Sequence, residues 1–123
     1  MIRIDTNYIV RYFMNDNQEM ADIAENILAN EQVFISNEVL AEVVYVLLGV
    51  YDISKNSIVE KLTTLISYDN ILTLDDIITI DALNIFKEKN IDFVDSILCA
   101  YSKNDEIKTF DKKLLKCIET SKK

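Results

Sequence analysis

Four short apolar segments, each running into a residue able to turn the chain or cap a helix, are what most constrain the fold available to this sequence. Residues 1–5 alternate apolar and polar positions and end on Asp5. Val33 to Ile35 is a β-branched and aromatic run followed by Ser36 and Asn37, both good N-caps. Asn70 to Leu74 leads into Asp75 and Asp76, and Ile107 to Phe110 leads into Asp111. Between these segments apolar residues recur at helical spacing. Val10, Phe13, Ile23, Ile27 and Leu28 mark two helices with a break near Asn15 to Asn17, and Glu38 to Gly49 forms a third. Ser54 opens another through Ile58, Leu62, Leu65 and Ile66, a further helix reaches Lys89, and Asp92 opens one with Phe93, Val94, Ile97, Leu98 and Tyr101 as its stripe. Asp111 caps the last. Strand and helix in alternation call for βαβ crossovers and an α/β fold, a three-layer α/β/α sandwich around a mostly parallel sheet of about four strands.

The chain has no Pro, a single Gly at position 49, and no repeat or low-complexity stretch, so residues 1–123 read as one domain. At this length one core forms without help from disulfides or structural metals. No apolar run approaches the roughly 20 residues of a membrane span, and the N-terminal segment carries an acid where a signal peptide would be apolar. Cys99 and Cys117 are the only cysteines. One lies in an apolar pattern and one near the tail, so they are expected as unpaired thiols in a reducing cytoplasm. The sequence contains no His, which removes His-based acid–base catalysis, Ser-His-Asp and Cys-His triads, and nearly every ordinary zinc site.

Any chemistry therefore falls to carboxylates. In open parallel sheets the functional crevice lies beyond the carboxyl ends of the strands, where Asp5, Ser36, Asp75 and Asp111 are expected. Carboxylates gathered there would repel one another by roughly 4 kcal/mol per pair at about 4 Å with an effective dielectric near 20. A hard divalent cation relieves that repulsion, and oxygen-only ligands favour Mg²⁺ or Mn²⁺ over Zn²⁺. The chemistry such a site suits is hydrolysis of a phosphodiester by water held at the metal.

Each acid also has a structural explanation. Asp5 and Asp111 can serve as strand-end turn formers and helix caps. Glu42 lies with Glu38, Tyr45 and Gly49 on the least apolar face of its helix, as a solvated residue would. Asp92 and Asp95, at i and i+3, read as an N-cap and a first-turn acid favoured by the helix dipole, although Asp95 can also project toward a crevice. Thr6, Asn7 and Thr109 can hydrogen-bond carboxylates or phosphate oxygens.

Taken together, Asp5-Thr6-Asn7, the Glu42 in EVLAEVVYVL, the Asp95 in DFVDSILCA and the Asp111 in TFDKKL resemble the four-acid pattern of PIN domains, over nearly the whole chain. The short single-domain form is most similar to VapC-type toxins of bacterial toxin–antitoxin pairs. The resemblance implies a Mg²⁺- or Mn²⁺-dependent endoribonuclease cutting transfer RNA or ribosomal RNA, restrained by a cognate antitoxin and forming a homodimer. By the same resemblance Asp5, Glu42 and Asp95 match the three core acids, Asp111 the more variable fourth, and Thr6, Asn7 and Thr109 the supporting polar positions. Ser96 stands where the family often has Ala.

Charge argues the other way. With 21 acids against 13 bases the net charge is −8, so the chain as a whole repels a polyanion. Bound cations and the lysines concentrated toward the C-terminus reduce that objection. Two other readings share the same residues: a PIN nuclease of RNA processing, or one acting on DNA, with no antitoxin; and a receiver-like, non-catalytic domain that binds metal in an acidic pocket.

Overall fold

The strands are only two residues long, so backbone pairing rather than strand length has to define the sheet. In the computed structural model, which describes residues 1–121, Ile2–Arg3 (β1), Val33–Phe34 (β2) and Ile71–Leu72 (β3) pair in parallel in the order β1-β2-β3. Ile2 stands opposite Val33 and Val33 opposite Ile71, with Arg3, Phe34 and Leu72 level one residue on. The ladder extends past the strands, since the Ile2 N–H donates to the Gln32 carbonyl at 3.0 Å and the Ile35 N–H to the Leu72 carbonyl at 2.8 Å. Thr6–Met14 (α1) and Gln18–Asn30 (α2) connect the first two strands, and Asn37–Gly49 (α3) and Lys55–Ile66 (α4) connect the second pair.

The described residues divide into two compact units, one from Met1 to Leu74 and one beginning at Asp75. In the first, α1 packs on α2 and α3, while α4 packs on α3 and β3. Val33, Ile35, Val43, Val44, Leu47, Ile58 and Leu62 are completely buried and form its core. The Asn70 amide donates to the carbonyls of Leu28 and Glu31 at 2.7 and 2.8 Å, satisfying the exposed end of α2 and fixing it to the approach of β3. Asn15 ends α1 in the left-handed region at φ 52°, a conformation Asn tolerates better than most residues.

The second unit holds Asp76–Glu88 (α5), Phe93–Tyr101 (α6) and Lys112–Ser121 (α7), with α6 packed on both α5 and α7. Phe86 and Phe93 meet edge to face, their ring centroids 5.8 Å apart. Lys103 ties α6 to α5 through an ion pair with Asp81 at 2.8 Å.

The α/β class and the parallel sheet are as the sequence suggests; three details differ. The sheet has three strands among the described residues, because Ile107 to Phe110 pairs with nothing. Its alternation carries β propensity, but propensity yields to context. Just after the segment the Asp111 N–H bonds locally to the Thr109 hydroxyl at 3.0 Å. Ile23 and Val94 do not join the core and are 49% and 44% exposed. The buried stripes run through Ala21, Ala24 and Leu28 in α2 and through Phe93, Ser96, Cys99 and Ala100 in α6, where small residues permit close helix packing. Finally, Cys99 and Cys117 are not separate thiols but a disulfide, with Cα atoms 6.2 Å apart. Only the packing of α6 on α7 brings them together, and their spacing of 18 residues gives no sign of it.

A bridge closing a loop of 18 residues stabilises the folded chain by about 3 kcal/mol in the chain-entropy account. Reduction is therefore expected to lower the urea midpoint while far-UV circular dichroism in buffer stays unchanged. Equal midpoints with and without reductant would contradict the bridge's contribution.

Candidate active site

In the first unit the sheet delivers Asp5 to the carboxyl edge. Arg3 and Phe34 are level in the ladder, so two residues later Asp5 and Ser36 are level as well. Both then start helices. The Asp5 backbone is extended, and its Oδ1 accepts the Tyr8 N–H at 3.2 Å, capping α1. The Ser36 hydroxyl accepts the Val39 N–H at 3.2 Å, capping α3. One Asp5 oxygen is thereby committed to the helix, on a residue that is exposed. Thr6 is half-buried and Asn7 exposed in the first turn of α1. Glu42 lies on α3 between the buried Ala41 and Val43, with its own side chain in solvent, as its helix face anticipates.

Beside Asp5 is a cavity of about 240 Å³ lined by Asp5, Asn7, Tyr8, Arg11, Met20 and Ile23. Tyr8 and Arg11 are absent from the sequence-derived site. Their signal was the face of α1 left over once Ile9 and Val10 turn inward, because Asn7, Tyr8 and Arg11 at i, i+1 and i+4 lie along that face. Arg11 also pairs with Asp16 at 2.7 Å, and the Tyr51 hydroxyl donates to the other Asp16 oxygen at 2.8 Å. The guanidinium and that hydroxyl hold the Asp16 carboxyl below its usual range.

The second unit gathers three acids. Asp92 caps α6, its Oδ1 accepting the Asp95 N–H at 2.8 Å, and its carbonyl accepts the hydroxyl of the fully buried Ser96 at 2.8 Å. Asp111 caps α7, its Oδ1 accepting the Leu114 N–H at 2.9 Å. Thr109 holds the Asp111 backbone through its hydroxyl, so its role here is to position Asp111 and not to touch the carboxylate. Asp95 is half-buried between these caps. Burial, and then the charges of Asp92 and Asp111, push its carboxyl above the usual range.

Among the described residues, no three His, Cys, Asp or Glu side chains stand as a ready-made metal cage. The donor chemistry nonetheless suits a hard cation. Every candidate ligand is a carboxylate oxygen, Asp95 feels two like charges without a cation to offset them, and Mg²⁺ needs only one or two protein carboxylates because it keeps waters and takes substrate oxygens.

Comparison with known proteins adds one finding: the family model described as "PIN domain" matches residues 2–117 and so runs through both units. Neither the search of curated proteins nor that of solved structures returns a match.

The local geometry separates a cap from a ligand candidate. Asp92→Ala should destabilise the fold by about 0.5–2 kcal/mol through loss of the α6 cap. Asp95→Asn removes the unfavourable charge and should melt at or above the parent. A clear drop in melting temperature for Asp95→Asn would mean that this carboxylate is structural.

Proposed function

The chain belongs to the PIN domain family, generally a nuclease fold, and from that premise we propose that it is a metal-dependent endoribonuclease whose acids are Asp5, Glu42, Asp95 and Asp111. The observation that carries this reading is Asp95, half-buried and further opposed by the charges of Asp92 and Asp111 at two helix N-termini, in a family whose members typically use divalent metals. Such crowding disfavours the folded state and makes chemical sense when a cation relieves it.

In this reading Asp5, Glu42 and Asp95 are the core ligands and Asp111 the fourth. Bound there, Mg²⁺ or Mn²⁺ supplies Lewis acidity toward the phosphodiester and lowers the pKa of an attacking water. The chain's own contribution is placement. Asp5 and Asp111 are fixed by the N–H groups they cap, Asp95 is fixed by the Asp92 cap one turn earlier, and Thr109 fixes Asp111. Thr6 and Asn7, in the first turn of α1, offer a hydroxyl and an amide to carboxylate or phosphate oxygens. Ser96 in place of the family's common Ala leaves no buried polar group unpaired, because its hydroxyl bonds to the Asp92 carbonyl within the helix.

The finer assignment is a VapC-type toxin, acting on transfer RNA or ribosomal RNA in the cytoplasm, folded as one nuclease domain over residues 1–123, forming a homodimer and silenced by a cognate antitoxin. The support is the four motifs in register. Met20 and Ile23, each about half exposed beside Asp5, offer apolar surface of the kind a protein partner covers.

Incubation of the purified chain with a total transfer RNA pool tests the proposal. Discrete fragments are expected with Mg²⁺ or Mn²⁺, and none with a chelator or with Asp95→Asn. Metal binding without cleavage of any RNA would favour the non-catalytic metal-binding reading instead.

A further inference from the structure

The proposed carboxylate chemistry makes no use of the Cys99–Cys117 disulfide, although the bridge joins the two helices whose first turns hold Asp95 and Asp111. Cys99 stands one helical turn after Asp95 on the same face of α6, and Cys117 lies on α7 six residues after its cap, Asp111. The bridge therefore limits how far those two first turns can separate. Once it is open, α6 and α7 are held by packing, with Ala100, Leu114 and Ile118 buried, and by the contact of Cys99 with Ser121.

The two sulfurs are not equivalent. Cys99 is completely buried, and its Sγ lies 3.4 Å from the Ser121 hydroxyl. A disulfide sulfur carries no proton, so the hydroxyl is the donor in that contact. Cys117 is also buried, but it lines a cavity of about 380 Å³ bounded by residues 89–91 and by α7, with room for a small thiol. The sulfur open to attack is thus Cys117, and the sulfur that leaves is the one already supplied with a hydrogen-bond donor. Thiol–disulfide exchange depends on both access and the stability of the leaving thiolate. The sequence has no third cysteine, so the bridge opens by exchange with an external thiol and does not reshuffle within the chain. A bridge serving stability alone needs neither the donor nor the opening.

We propose that Cys99–Cys117 is a redox-sensitive clamp, opened by a small thiol entering at Cys117, that governs the placement of Asp95 relative to Asp111. The incoming thiolate attacks the Cys117 sulfur, the S–S bond breaks, and Cys99 departs as a thiolate that accepts the Ser121 hydrogen bond and then a proton. A second thiol of the reductant displaces Cys117 from the mixed disulfide. Two reductant thiols are thereby oxidised to a disulfide, and the chain gains two electrons and two protons. Closure reverses these steps with a small-molecule disulfide as oxidant. The consequence for a bound metal rests on the metal-dependent reading; the opening of the clamp does not.

Separate measurements keep the clamp and the metal reading apart. The full chain is treated with dithiothreitol without denaturant, and opening is followed by mass after quenching with N-ethylmaleimide. Ser121→Ala, checked for folding by a melting curve, is expected to open about threefold more slowly, having lost one hydrogen bond to the departing thiolate. Hydrogen exchange reads the effect on the caps. Protection of the Asp95 and Leu114 amides, which bond to Asp92 and Asp111, is expected to fall by about fivefold or more in the reduced chain. The Val39 amide, capped by Ser36 in the first unit, keeps its protection. Titrated Mn²⁺ should bind the reduced chain about tenfold more weakly than the bridged one.

A bridge that opens only in denaturant overturns the proposal, as does unchanged protection of the cap amides after reduction. A loss shared equally by Val39 overturns it too, marking the bridge as a general stabiliser. Parental opening of Ser121→Ala contradicts the assignment of Cys99 as the leaving sulfur. Redox-dependent protection in a chain that binds no Mn²⁺ in either state supports the clamp and rejects the metal reading. Equal Mn²⁺ affinity in both states rejects the clamp's hold on the site and leaves the metal reading standing.

Discussion

Helix capping by short polar side chains is the interaction on which this structure depends. The strands are too short to hold the chain by themselves, and with no Pro and one Gly the sequence lacks the usual means of stopping and starting elements. Asp5, Asn17, Ser36, Ser54, Asp75, Asp92 and Asp111 instead accept first-turn N–H groups, one at the start of each helix. Each such cap is worth about 0.5–2 kcal/mol and each carboxylate is also favoured by the helix dipole. The same bonds immobilise the acids proposed for catalysis. Asp5 and Asp111 are caps and Asp95 is the residue a cap holds, so fold and site share one set of contacts. Glu42 is the exception: it is placed by the burial of its helix neighbours, with its own side chain in solvent.

That sharing explains why the sequence was readable in some places and not in others. Caps are local, so Ser36, Ser54, Asp75, Asp92 and Asp111 could be recognised from the residues alone, and with them the starts of five helices. The parallel pairing of β1, β2 and β3 was legible because βαβ alternation allows few other arrangements. Ile107 to Phe110 was not, because its pattern matches a strand while the outcome depends on whether a partner edge is available. Ile23 and Val94 were misplaced for a related reason. Periodicity finds apolar positions, but Ala21, Ala24, Ser96 and Ala100 show that close packing here selects small side chains that carry little hydrophobic signal. The disulfide is a tertiary fact and has no trace in sequence spacing.

The site divides in the same way. Asp5, Asp95 and Asp111 were singled out from position along the chain, and the structure adds that Asp5 and Asp111 each commit one oxygen to a backbone N–H. The role of Thr109 was half legible: its polarity marked it, but only the coordinates show it bonded to the Asp111 N–H and not to a carboxylate. Tyr8 and Arg11 escaped because residues on a solvent-facing helix stripe resemble any other surface until a cavity is seen beside them. The net charge of −8 is a whole-chain figure, and it hides a strongly acidic stretch over residues 1–74 and a nearly neutral one over residues 75–123.

The central proposal is that the carboxylates of Asp5 and of Asp95 are both metal ligands. Isothermal titration of Mn²⁺ into the parent, Asp5→Asn and Asp95→Asn tests it without requiring any knowledge of the RNA. The account predicts one class of binding in the parent and its loss, or at least a tenfold weakening, in either variant, with both variants folded. Parental affinity in one of the two would show that the corresponding acid does not serve the metal, and the four-carboxylate account would fail.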